Sequence, residues 1–278
     1  VRNVSGPNQF TNVQSFREPA ALQGYLGRVS YRYRDKYYVD ATVRRDGSAR
    51  FAPGFRWGTF PSVAVAWRLS SESFFQNIPF VNDLKLRAGY GSLGNQETGN
   101  FLFLSRVLTS SDYAFGSGNG NAVGNVQLGA ALPDFPVRDL TWEISRTTNV
   151  GIDGIAWNNR LNFTIEYYNR LTSGILQQVP LPAAAGIQNQ PVLNVASVRN
   201  SGVELALGYN QTVGDFSFNV SANLTTVRNR VESVFRDAPT GGEFGRIEEG
   251  FPINYIWGYQ VGGIFQTQAE IDAWRARY

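Results

Sequence analysis

Successive side chains of an extended strand point to opposite faces, so a chain that alternates apolar and polar residues over long stretches is committed to sheets with one greasy side and one polar side. This sequence does so eight times. Tyr25, Val29, Tyr31 and Tyr33 share one parity against Arg28, Ser30 and Arg32, and Tyr37, Val39, Ala41 and Val43 oppose Asp40, Thr42 and Arg44. Val63, Val65, Trp67 and Leu69 oppose Ser62 and Arg68, while Leu84, Leu86, Ala88 and Tyr90 oppose Lys85 and Arg87. Leu140, Trp142 and Ile144 oppose Thr141, Glu143 and Ser145; Leu161, Phe163, Ile165 and Tyr167 oppose Asn162, Thr164 and Glu166. Val203, Leu205, Leu207 and Tyr209 oppose Glu204 and Asn210, and Phe216, Phe218, Val220, Ala222 and Leu224 oppose the hydroxyl and amide residues from Ser217 to Thr225. Several of these runs reach the roughly 9–11 residues that a tilted strand needs to cross a bilayer.

The connections alternate as well. Brief turns at Arg34 to Lys36, Asn158 to Asn159 and Val213 to Asp215, with a medium one from Ser70 to Asp83, are interleaved with long Gly/Asn/Ser/Pro-rich stretches at Gly47 to Gly58, Asn95 to Arg138, Ser173 to Val195 and Asn229 to Asn254. Short at one end and long at the other is the layout of an outer-membrane barrel, with periplasmic turns and extracellular loops. Tyr33, Tyr37, Trp67, Tyr209 and Phe216 lie beside the short connections on the apolar parity, where they would form an aromatic girdle. Periodicity alone leaves a soluble sandwich open, because its core would use the same apolar face and its solvated side the same charges.

Composition narrows the chemistry. With no His and no Cys, the chain lacks imidazole and thiolate, which removes the usual nucleophile pairs, zinc sites and disulfides. No metal, cofactor or catalytic residue is assigned. No apolar run approaches the roughly 18 residues of a spanning helix, and no secretory leader opens the sequence. The formal charge of +3 comes from arginines scattered along the chain, with Lys36 and Lys85 the only lysines, so no basic patch and no nucleic-acid partner is expected.

Two further motifs carry little. Gly89-Tyr90-Gly91-Ser92-Leu93-Gly94 satisfies G-x-G-x-x-G, but a polar loop follows it instead of the helix that a dinucleotide site requires, so its glycines are read as strand-end residues. Trp57, Asn95, Gln96, Tyr113 and Phe115 could stack on or hydrogen-bond to a ligand such as a sugar; packing within long loops is the simpler account, and the substrate-binding residues are left unknown.

Particular strings carry a family resemblance. Gly27-Arg28-Val29-Ser30-Tyr31, the stretch Ala41 to Phe51, Trp57-Gly58-Thr59-Phe60-Pro61-Ser62-Val63, Leu84 to Gly91 with Gly94-Asn95-Gln96, Trp142 to Gly151, Asn200-Ser201-Gly202-Val203-Glu204 and Gly263 to Gln268 resemble, in order, SusC-like (RagA-type) TonB-dependent outer-membrane transporters. The resemblance implies an all-β, antiparallel transmembrane barrel of about 22 strands, of which residues 1–278 form a partial barrel domain without the plug domain, TonB box and C-terminal strands. It implies a cell-outer-membrane protein that is not an enzyme, imports an oligosaccharide or peptide, and has a SusD-like lipoprotein, the TonB complex and outer-membrane lipid as partners. A passive porin and a soluble carbohydrate-binding or adhesive sandwich are the competing expectations. Sheet edges left open in a partial barrel would make the isolated piece aggregate.

Overall fold

The computed structural model describes residues 20–75, 78–109, 113–114, 126–127, 129–187, 189–237, 240–241 and 245–277. In chain order the strands are β1 (Leu22–Tyr33), β2 (Tyr37–Ser48), β3 (Trp57–Arg68), β4 (Val81–Asn95), β5 (Tyr113–Ala114), β6 (Val126–Gln127), β7 (Glu143–Ala156), β8 (Leu161–Gln178), β9 (Val192–Val213), β10 (Phe216–Thr225), β11 (Arg228–Ser233), β12 (Thr240–Gly241), β13 (Gly245–Ile247) and β14 (Tyr255–Ile256), followed by helix α1 (Gln268–Arg277). The main sheet runs β1-β2-β3-β4-β7-β8-β9-β10, with β11 pairing the upper part of β9. Every pairing in it is antiparallel. Strands β5 and β6 form a two-stranded ribbon in the long connection, and β12, β13 and β14 a small separate sheet.

Each strand joins its predecessor through the turn chemistry its residues allow. Arg34 and Asp35 both take positive φ (51° and 53°), the mirror-image turn whose twist matches a hairpin, and the Lys36 N–H closes it on the Tyr33 carbonyl at 3.0 Å. Trp157, Asn158 and Asn159 do the same between β7 and β8, with φ of 53°, 58° and 64°. At the other end, eight residues separate β2 from β3, thirteen separate β8 from β9, and a far longer connection follows β4; the expected alternation of connection length holds except that the β3–β4 connection at the short end, at twelve residues, is longer than the β2–β3 loop.

Register converts the alternation into two faces. One row across the sheet reads Tyr33, Tyr37, Trp67, Leu86, Ile152, Ile165, Leu205 and Leu224. One residue along, on the opposite face, the row reads Arg32, Tyr38, Ala66, Arg87, Gly151, Glu166, Glu204 and Thr225. Large apolar side chains of the first face are exposed, among them Tyr31, Val39, Val65, Val150, Tyr167 and Phe216. A sandwich would bury that face under a second sheet; the exposed rows rule it out among the described residues. Residues from β1 through β9 line one trough of about 840 Å³ on the polar side, so the sheet curls with its polar face concave. No pairing joins β1 to β10 or β11 among the described residues, and the sheet is open.

Three boundaries depart from the expectation. Both ends of the loop expected at 173–195 are strand, because β8 runs to Gln178 and β9 begins at Val192; likewise the first five residues of the loop expected from Asn229 belong to β11 (Arg228–Ser233). Leu140 and Trp142 lie before β7, which starts at Glu143, and are buried among loops. Gly89, Gly91 and Gly94 sit inside β4, which excludes a phosphate-binding turn. No described helix is long and apolar enough to cross a membrane, a fact that bears on helices alone.

Candidate functional site

The concave polar face is the surface on which this fold can handle a solute. Most of its charges are matched within the wall. Arg28 on β1 donates to Asp40 on β2 at 2.9 Å, and the Ser30 hydroxyl donates to the same carboxylate. Toward the short turns, Arg68 on β3 binds Asp83 on β4 through two nitrogens, at 2.8 and 3.0 Å. At the centre, Lys85 and Arg87 on β4 converge on Asp153 of β7, at 3.3 and 3.2 Å, and Arg87 continues across β7 to Glu166 on β8. That crossing needs Gly151: a Cβ there would lie 3.0 Å from the guanidinium carbon. Thr164 donates to Asp153 at 3.1 Å, and the Asn149 amide to Glu166 at 3.1 Å. Desolvation of such groups is offset by this pairing and hydrogen bonding, which is how charges persist in a wall of this kind. Two trough residues, Arg170 and Glu204, make no ion pair among the described residues; Arg170 donates to the Thr147 hydroxyl at 3.1 Å.

At the long-loop end, three connections are welded by a core that resembles the interior of a soluble protein. Phe51, Phe60, Val137, Leu140 and Trp142 are buried together, with Trp142 5% exposed and packed edge-on to Phe60 at 5.3 Å between ring centroids. The Trp142 indole N–H donates to the Arg56 carbonyl at 2.9 Å. Asn194 joins the β8–β9 hairpin to the long connection: its amide donates to the Thr141 and Gly174 carbonyls at 2.9 and 2.8 Å, and its oxygen accepts from the Thr141 N–H at 2.9 Å. Asp134 accepts from Asn189 at 2.7 Å and from Arg106 at 2.8 Å, and these two partners, Asn189 first, hold its carboxyl below the usual range.

At the short-turn end the aromatic girdle is in place. Tyr33, Tyr37 and Trp67 stack in sequence across β1, β2 and β3, with centroids 6.5 and 6.3 Å apart. Glu72, in the β3–β4 connection, gathers the polar tips of two of them, accepting from Tyr37 at 2.9 Å and the Trp67 indole at 3.2 Å, and accepts from Lys36 at 2.8 Å as well. The Lys36 hydrogen bond above all, then those of Trp67 and Tyr37, lowers its pKa from the ordinary 4.5. Tyr209 and Phe216 form a second aromatic group through Phe218.

Among the described residues, no contact joins the loop residues considered as ligand contacts. Trp57 faces outward, stacked on Tyr25 at 6.0 Å with the Arg45 guanidinium 5.4 Å from its ring. Asn95 accepts from the Glu97 N–H, and the Gln96 carbonyl accepts from Arg50. Tyr113 belongs to the small ribbon, and Phe115 lies outside the described residues. Sequence reasoning missed the Trp142 core and the Asn194 clasp. Only the register of β8 with β9 could have located the latter.

Comparison with known proteins gives one consistent answer. Residues 3–264 match the family described as TonB dependent receptor-like, beta-barrel. The chain is 36% identical over 249 residues to TonB-dependent receptor P39 of Formosa agariphila, covering 88% of this chain and 23% of that protein. It is 32% identical over 224 residues to TonB-dependent receptor SusC of Bacteroides thetaiotaomicron, covering 80% of this chain and 21% of that one. Among solved structures it resembles the RagAB peptide importer in its closed-closed state, with a TM-score of 0.73 at 27% identity over 85% of this chain and 25% of that chain. The chain therefore spans about a quarter of the length of these relatives.

Proposed function

This chain belongs to the TonB-dependent receptor-like β-barrel family, whose members reside in the outer membrane, and from that premise we propose that it forms part of the wall of a transporter importing an oligosaccharide or a peptide. The carrying observation is the two-faced, curled sheet: an exposed apolar face suited to lipid and a concave face most of whose charges are internally paired. Energy from TonB and capture by a SusD-like surface lipoprotein complete the reading, supported by the likeness to SusC and to the RagAB importer. The step is passage, with no covalent chemistry.

Uptake of labelled oligosaccharides and oligopeptides by cells lacking the full-length protein tests it. Loss of uptake, restored by the gene and abolished again when the TonB complex is inactivated, is the expected result. Uptake that survives TonB inactivation would identify a passive porin instead.

A further inference from the structure

The arginines that look scattered along the sequence are assembled by strand register on the outward face. Arg146 on β7 pairs with Leu171 on β8, Leu171 with Arg199 on β9, and Arg199 with Arg230 on β11, placing three guanidiniums in one cross-strand row. One row nearer the short turns lie Thr148, Asn169, Ser201 and Arg228. The next is the apolar row of Val150, Tyr167 and Val203, all exposed. Along β7 and β9 the order is thus apolar, then hydroxyl, then guanidinium, with Asn169 of β8 and Arg228 of β11 completing the middle row.

The side is fixed independently. Arg199 shares the parity of Val203 and Leu205, whereas its neighbour Val198 is buried on the opposite face against Val231. Ten residues separate Arg146 from Ala156 at the β7–β8 turn. At about 3.4 Å per residue and a tilt near 40°, that places the arginines roughly 25 Å from the turns, at the far edge of an apolar band of about that height. With the long loops extracellular, this edge is the headgroup level of the outer leaflet.

The cluster is built and undercompensated. Arg199 is oriented by Glu232 at 2.7 Å and by Asn169 at 3.1 Å, and Arg146 donates to the Ser173 hydroxyl at 3.3 Å. Glu232 is the one carboxylate paired with any of the four arginines among the described residues, while Arg146, Arg228 and Arg230 are exposed. Four positive charges against one negative, above an apolar surface and beside hydrogen-bonding side chains, match a phosphorylated headgroup whose acyl chains lie on the rows below. We propose that the outward row Arg146–Arg199–Arg230 is a binding site for the phosphate of an outer-leaflet glycolipid. The inference rests on the outer-membrane placement and not on what the barrel carries.

The test uses the full-length protein in phosphatidylcholine nanodiscs containing a small fraction of monophosphoryl lipid A, with retained lipid counted by native mass spectrometry. At about fivefold per guanidinium near a charged surface, the triple variant Arg146→Gln/Arg199→Gln/Arg230→Gln is expected to lose about a hundredfold in retention. Dephosphorylated lipid A should be lost comparably, millimolar inorganic phosphate should not compete, and the inward-facing Arg28→Gln should behave as wild type. Should the triple variant fail to reach its heat-modifiable form, the single Arg230→Gln, exposed and without a carboxylate partner among the described residues, should still lose about fivefold. Unchanged retention in a folded variant, equal retention of dephosphorylated lipid, or displacement by free phosphate would each overturn the assignment. So would loss of association between copies of the protein with lipid retention intact, which would make the row a protein interface.

Discussion

The two ends of the sheet are held by different physics. At the short-turn end, left-handed turns close the hairpins, and the aromatic row Tyr33–Tyr37–Trp67 stays exposed with only the Tyr37 hydroxyl and the Trp67 indole tied to Glu72. At the loop end, Phe51 (0% exposed) and its neighbours are buried as deeply as any core, and backbone groups of separate loops are satisfied by Trp142 and Asn194. The difference follows from solvent. Loops in water must bury their own apolar surface to order themselves, whereas the turn end can leave its rings against lipid.

The contrast should be greatest in lipid quenching of the full-length protein. Brominated lipid is expected to lose much of its quenching in Trp67→Phe and none in Trp142→Phe; equal behaviour of the two would erase the distinction between the ends. Next in size, Trp142→Ala removes the centre of the loop core. It should cost about 3–5 kcal/mol there, read as protease cleavage within residues 96–142 while the barrel keeps its heat-modifiable mobility. Asn194→Ala strands the Thr141 N–H and two carbonyls and should cost about 1–3 kcal/mol, seen as faster amide exchange at Thr141 and along the upper β8–β9 hairpin. Smallest is the effect of pH on the turn end. Because the folded state lowers the pKa of Glu72, its contribution is complete above the ordinary value of 4.5 and is lost as pH falls through the lower folded value. Exchange of residues 69–75 should rise in that acidic window, and Glu72→Gln should remove the dependence.

Much of the fold was legible because period two is a local property. All eight alternating segments contain or adjoin a strand of the main sheet, and the parity assigned to Tyr33, Tyr37, Trp67 and Tyr209 is the one observed. What failed did so for identifiable reasons. Leu140 and Trp142 continue the alternation of β7, yet alternation cannot tell a strand from a loop that buries every second residue. The extensions of β8 and β9 carry Gly, Asn and Pro signals close by, which read as loop until pairing is known. The expectation of no basic patch is corrected by register, since Arg146, Arg199 and Arg230 are far apart in sequence and adjacent only across strands. The lumen network was half visible: charges fell on the polar parity, but that Arg87 bridges three strands depends on Gly151 lying beneath it.

That bridge has a consequence for anything travelling past it. A lining whose cations and anions already neutralise one another projects only a weak field into the water beside it, and the two trough charges left over, Arg170 and Glu204, are of opposite sign. Along this stretch a charged traveller would be neither pulled in nor turned away. Discrimination by charge is thus not a task of this stretch of wall.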